Sequence, residues 1–362
     1  MKTFILPLLL IMVWTLLLSG RATAHPPWAI VVDDKNQIYL SDLETIWKID
    51  ASGKSSVFRT GVFGRHTHEI RLDGDGNLLG EDLSYEPATK KYVTSLWKIT
   101  PNGSFSFTLA PTAEPPKAIS IWKNQAGATF YFGQTEDKQH KPFLLKRSAN
   151  GAVSTLFGDS KNALRERQVV LYSLAGMAFA PDGTLFITNR LNILKVAPDD
   201  KVTVVVNQNK VSEKFPNAQL FGLAVDPQNN VFTADFGNRK ILKITFDGAI
   251  SVAAESEPNW SPTGVYFRNG NLYVLEARSE LSGANIVVRV RKITADGKIS
   301  TVATINESRT NAPVNSNQNN SIFDNQNQTA NQNNKSCAAV GLAFAACLIL
   351  SEKSRSLIKN SL

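Results

Sequence analysis

The feature that most constrains this chain is a repeat. A lysine recurs inside six similar phrases: Ile46-Trp47-Lys48-Ile49, Leu96-Trp97-Lys98-Ile99, Leu144-Leu145-Lys146-Arg147, Ile193-Leu194-Lys195-Val196, Ile241-Leu242-Lys243-Ile244 and Val290-Arg291-Lys292-Ile293. The lysines lie 50, 48, 49, 48 and 49 residues apart. Each phrase runs without a gap into a turn: Ser52-Gly53, Asn102-Gly103, Asn150-Gly151, Asp199-Asp200, Asp247-Gly248 and Asp296-Gly297. Such pairs accept the positive φ of a tight hairpin. Upstream of each phrase another hairpin is legible, as in Gly176-Met177-Ala178-Phe179 and Thr184-Leu185-Phe186-Ile187-Thr188 around Pro181-Asp182-Gly183. Each unit is four short strands, lettered A to D. Four strands at this period make a propeller blade. The sequence therefore predicts an all-β fold, a six-bladed β-propeller with four antiparallel strands per blade, over residues 25–304. Helix should be negligible, and every blade contiguous, with no strand exchanged to close the ring.

A second column stands at the end of strand B: Asp42, Asp82, Gln134, Asn189, Asp235 and Glu276. All are acids or amides. They could ring the channel mouth and hold a cation or polar ligand. The simpler alternative is that each bonds the backbone of its own B–C turn. The lysines likewise could form an anion belt, but more simply lay their stems on apolar strand surface. Residues outside the repeat are better functional candidates, because the scaffold does not demand them. His66, His68 and Glu69 stand at the start of strand A in blade two. If a divalent metal binds, His68 and Asp82 are the expected ligands, and a partner set would have to come from elsewhere. Long B–C insertions in blades two, three and six place recognition on the same face. No nucleophile elbow, phosphate loop or zinc-protease motif occurs, so catalytic residues stay unassigned.

Val225-Asp226-Pro227 with Ala234-Asp235-Phe236-Gly237-Asn238-Arg239-Lys240-Ile241, and Ala180-Pro181-Asp182-Gly183-Thr184-Leu185-Phe186, resemble the NHL repeat. The strand pattern is also similar to the gluconolactonase-like family, which shares the six-bladed plan. The NHL resemblance implies a scaffold that binds a protein or a small polar ligand. The gluconolactonase-like one implies a metal-assisted hydrolase, lactonase or lyase, with a divalent metal held by acids and amides at strand-A starts. Here the residues just before the strand-A glycine column are Trp28, His68, Ala175, Phe221 and Thr263. That set lacks the oxygen donors a hard cation needs.

The two ends read as addresses. Lys2, the apolar run Phe4 to Leu18 and Ala22-Thr23-Ala24 form a secretory signal over residues 1–24. Residues 305–335 form a linker, and within 306–334 fifteen of 29 residues are Asn or Gln, too polar to bury a core. Residues 336–362 are a short apolar segment with a basic tail, either a marginal membrane anchor or a loose tail. Both cysteines, Cys337 and Cys347, lie there, so the body needs no disulfide. The formal charge of +8 owes much to these ends, and what remains is too little for a nucleic-acid surface. A secreted or extracytoplasmic, monomeric propeller is expected. Mass spectrometry of exported protein should find His25 as the first residue. A chain starting at Met1 in the cytoplasm would end that expectation.

Overall fold

The computed structural model describes residues 26–134, 142–158, 174–279 and 286–306, all within one compact unit, Pro26–Asn315. The leader, the Asn/Gln-rich stretch beyond residue 306, the apolar tail and most of the blade-three insertion lie outside the described residues. Six antiparallel sheets follow one another in sequence. Blade one is β1 (Ile30–Val32), β2 (Ile38–Ser41), β3 (Ile46–Ile49) and β4 (Ser55–Arg59). Blade two is β5 (Arg65–Leu72), β6 (Leu78–Glu86), β7 (Lys91–Ile99) and β8 (Phe105–Thr112). Blade three contributes β9 (Thr129–Gln134), β10 (Pro142–Arg147) and β11 (Val153–Phe157). Blade four is β12 (Gly176–Phe179), β13 (Leu185–Thr188), β14 (Ile193–Val196) and β15 (Val202–Val206). Blade five is β16 (Leu220–Val225), β17 (Val231–Asp235), β18 (Lys240–Ile244) and β19 (Ile250–Glu255). Blade six is β20 (Ser261–Arg268), β21 (Asn271–Ser279), β22 (Ile286–Ile293) and β23 (Ile299–Ile305).

Two details depart from the simplest reading of the repeat. The inner position of blade three is not a full strand. A short segment holds it, in which Lys123 bridges Thr129 and Trp122 O accepts from Phe130 N. Among the described residues one helix is present, α1 (Gln208–Lys214), between blades four and five. Asn207 caps it by accepting from Lys210 N, and Val211 is its buried anchor.

The repeated lysine phrase has a structural counterpart. In all six blades the C–D pairing shifts register just before the lysine, at Ile46/Trp47, Leu96/Trp97, Leu144/Leu145, Ile193/Leu194, Ile241/Leu242 and Val290/Arg291. An extra residue at one fixed point increases the right-handed twist, which carries each outer strand away from the inner one. The lysines lie along ring faces: Lys48 over Tyr39, Lys195 over Phe246, Lys243 over Phe232 and Lys292 over Tyr273.

The blades are joined by apolar packing. Five clusters of buried side chains fill the blade interfaces. One of them unites blade one (Ile30, Leu40, Trp47) with blade six (Leu275, Val288, Val290), so the ring closes without an exchanged strand. At the axis the inner strands meet as a collar. A Cβ on Gly176 would lie 2.8 Å from Gly222 Cα, one on Gly222 would lie 2.9 Å from Gly264 Cα, and one on Gly264 would lie 2.2 Å from Trp28 O. Gly222 N donates to Ala175 O at 2.7 Å, a backbone bond between blades. Gly264→Ala should therefore destabilise the protein by about 1–3 kcal/mol through overpacking. Urea unfolding measures this, and an unchanged midpoint would mean that the collar has slack.

Candidate functional site

The acid/amide column divides by the shape of its hairpin. Asp42 Oδ1 accepts from Glu44 N (3.1 Å) and Thr45 N (2.8 Å), and its Oδ2 accepts from Trp47 Nε1 (2.8 Å). Asn189 Oδ1 accepts from Asn192 N (3.2 Å) and Nδ2 (3.1 Å). Asp235 accepts from Gln219 N, Asn238 N and Asn238 Nδ2. Each of these three stands at a short B–C turn and satisfies its backbone donors. The side chain of Gln134 lies outside the described residues. Blades two and six differ. Their B–C hairpins extend as ladder, to Glu86↔Lys91 and to Ser279↔Ile286, so Asp82 and Glu276 fall inside a strand. No turn offers them N–H groups there, and arginines take that place. Asp82 binds Arg59 through both oxygens and also accepts from Thr67 Oγ1 (2.6 Å) and Trp97 Nε1 (2.8 Å). Glu276 binds Arg289 (2.6 Å), Arg291 (2.9 Å) and Ser256 Oγ (2.6 Å).

Blade two supplies the other candidates. The A–B pairing shifts register between Thr67 and Glu69, which makes His68 the extra residue of a bulge. The rings of His66 and His68 lie 5.8 Å apart. His68 stacks on Trp28 at 5.3 Å, and Trp28 meets Phe221 at 5.9 Å. These three rings come from the residues just before the glycine column and cap the channel at the loop-rich end. Beneath them Glu69 occupies the collar position itself, where other blades carry Ala29, Gly176, Gly222 and Gly264. It is 8% exposed and accepts from Trp28 Nε1 at 2.9 Å. Burial pushes its carboxyl up to about 8, against the opposing pull of the Trp28 bond, and the facing Glu81 adds to the rise. Glu81 sits directly across the β5–β6 pair and is itself pushed up to about 7, by burial and by Asp82.

A cavity of about 220 Å³ runs along the axis on the side of the collar toward the strand-A ends. Glu69, Arg71, Trp122, Phe179 and Tyr266 are among its walls. The sequence places a ligand at the opposite, loop-rich end, where parts of the blade-three and blade-six insertions lie outside the described residues. Of the sequence candidates, Glu69 lines this cavity. His66 and His68 adjoin the ring cap, while Asp42, Asp82, Asn189, Asp235 and Glu276 are bonded into the blades around it. Trp28, Arg71 and Trp122 were not singled out as site residues. The readable signal was Glu69, a charged residue in a column of glycine and alanine.

The donor set does not fit a hard divalent metal. Among the described residues no three His, Cys, Asp or Glu side chains form a group able to hold one. Asp82 is already bound to Arg59, and His68 stacks on an indole. Among the described residues no helix is long and apolar enough to cross a membrane.

No known family profile matches the chain, and no curated protein matches it in sequence. Solved structures similar to it include a virginiamycin B lyase from Staphylococcus aureus (15% identical, covering 80% of this chain and 87% of that one, TM-score 0.43). Another is a gluconolactonase from Xanthomonas campestris (11% identical, 70% and 84% covered, TM-score 0.47). A third is a calcium-binding protein, regucalcin, from Agrobacterium tumefaciens (13% identical, 71% and 83% covered, TM-score 0.40). At these identities the likeness is one of fold alone.

Asp82→Asn should lower stability by about 3 kcal/mol, because it leaves Arg59 buried without its counter-charge. Thermal and urea unfolding check this. A variant as stable as the parent would free Asp82 for a role in binding.

Proposed function

We propose that this propeller is a hydrolase or lyase that acts on a small, lactone-like or sugar-derived molecule held in its axial cavity, with Glu69 moving the proton. The observation that carries the reading is the single carboxyl set into the collar, buried and pushed up to about 8. A side chain poised near ambient pH beside an enclosed space is suited to general acid–base work. At neutral pH Glu69 is mainly protonated and serves as the acid. The Trp28 indole fixes one oxygen and leaves the other for a substrate. His66 and His68 lie at the loop-rich end, beside the ring cap rather than in the cavity wall. The reading carries with it export through residues 1–24, which places the substrate outside the cytoplasm.

A second reading is recognition of a partner at the loop-rich face. Phe63, 81% exposed, favours it, as do the long hairpins of blades two and six beside the ring cap.

The test is Glu69→Gln, which keeps an acceptor for Trp28. Against a panel of small lactones and sugar acids the wild type should turn over at least one member, with activity falling as pH rises through about 8. The variant should lose roughly a hundredfold or more. Equal turnover by both proteins would end the acid–base reading. Stability provides an independent check. The folded carboxyl holds its proton to about 8 while the unfolded one releases it near 4.5. Between those values the native state binds more protons, so wild-type stability should fall as pH rises and level off above 8. The variant should escape that fall, so the stability difference should move in its favour by several kcal/mol, on the order of 5 at most, between pH 4 and pH 9. Parallel pH–stability curves would show that Glu69 is not perturbed.

A further inference from the structure

We propose that the part of the axial cavity toward the strand-A ends is an anion subsite, in which Arg71 and Trp122 hold the carboxylate of a small amphipathic acid whose apolar body lies against Phe179 and Tyr266. The proposal rests on the cavity being the ligand site, as above, but not on proton transfer by Glu69.

Trp122 is the first observation. It is 9% exposed and lines the cavity, and its Nε1 has no hydrogen-bond partner. Buried indole N–H groups nearly always have one, so an unpartnered donor beside an open space points to an acceptor supplied by a ligand.

Arg71 is the second. Its Nη1 donates to Ile121 O at 3.1 Å and to Lys123 O at 2.5 Å, the carbonyls on either side of Trp122. These bonds fix the guanidinium beside the indole. They leave Nη2 and Nε with no partner among the described residues. Among the described residues no carboxylate forms an ion pair with the cation. Asp73 is close enough to be felt electrostatically, but it is spent in its own A–B turn, accepting from Asp75 N, Asn77 N and Asn77 Nδ2. Arginine keeps its charge even when desolvated, and its free edge matches a carboxylate.

The surroundings select the kind of anion. The guanidinium lies 5.4 Å over the Phe179 ring, and Trp122 meets the same ring at 6.3 Å. Tyr266, Phe267, Met177 and Leu72 complete this part of the wall. A highly hydrated phosphate would find one cation and mostly hydrocarbon there. A carboxylate with an aromatic or aliphatic body places its charge on Arg71 and its carbon on the rings. Glu69, two residues back on the same strand and about 7 Å away along it, does not cancel that charge, because it is mainly protonated at neutral pH.

The test is calorimetric titration of the full chain with phenylacetate, its neutral counterpart phenylacetamide, and inorganic phosphate. Phenylacetate should bind saturably, and the other two should bind at least about tenfold more weakly. Trp122→Phe removes a donor that has no partner in the unliganded protein. Its melting temperature should stay near that of the wild type while phenylacetate affinity drops about three- to tenfold. Arg71→Gln should abolish binding. It also cuts a tie to blade three, so if it fails to fold, Trp122→Phe decides. Equal affinity for acid and amide, phosphate binding as tight as phenylacetate, or unchanged binding by Trp122→Phe would each overturn the proposal. Glu69→Gln should still bind phenylacetate. Retained binding with unimpaired turnover would sink the acid–base reading and leave this one standing, whereas lost binding only in the Arg71 and Trp122 variants supports the subsite itself.

Discussion

The structure turns on how closely six inner strands can approach one axis. Sheets in a propeller stack face to face like the layers of a sandwich, and their apolar faces drive that stacking. Near the axis the layers converge until side chains no longer fit. Gly176, Gly222 and Gly264 meet there at distances that would exclude a methyl group, and Trp28 O carries the contact on to blade one. Blade two breaks this rule with Glu69. A carboxyl at the collar cannot keep water around itself, and its raised pKa follows from that position. The bulge at His68 sets its register opposite Glu81. Collar, bulge and proton affinity are thus one geometric fact expressed at three levels.

The same logic separates structural charge from reactive charge. Asp42, Asn189 and Asp235 cap short turns, and none needs a cation. Once the hairpins of blades two and six lengthen, the ladder consumes the backbone donors. Asp82 and Glu276 then require Arg59, Arg289 and Arg291. Two of these arginines also lie over indole rings, Arg59 over Trp97 at 4.6 Å and Arg289 over Trp260 at 4.1 Å. A buried ion pair is weak evidence for net stability, but breaking one partner out of it is costly. The long hairpins, which the sequence suggested for recognition, therefore bring their own electrostatic foundations.

The period of the lysine phrases made the fold legible, because each phrase carries a fixed bulge and a fixed turn. The blade count and the closure followed from that. Blade three was harder to read because Ile121-Trp122-Lys123 pairs over too short a length to show alternation. Helix α1 escaped because seven residues with one buried anchor leave no periodic trace. At the site, Glu69 was legible through its place beside His66 and His68, outside what the repeat demands. Arg59, Arg71 and Trp122 were not, since what matters about them is a partner in the next blade, 23 residues away for Arg59 and 50 or more for Arg71, or the lack of one for Trp122.

Arg71 shows how one strand can polarise a channel. Residues two apart on β5 share a face, so Glu69 and Arg71 look into the same space from the collar and from below it. They form no ion pair, because Arg71 is turned toward the carbonyls flanking Trp122. Had they paired, each would have silenced the other: the carboxyl would sit low and ionised, and the guanidinium would have no free edge. Held apart by a blade-three backbone, the acid keeps its proton and the cation keeps two donors. A molecule carrying a carboxylate at one end and a proton-accepting atom at the other would meet both, in the order the strand presents them.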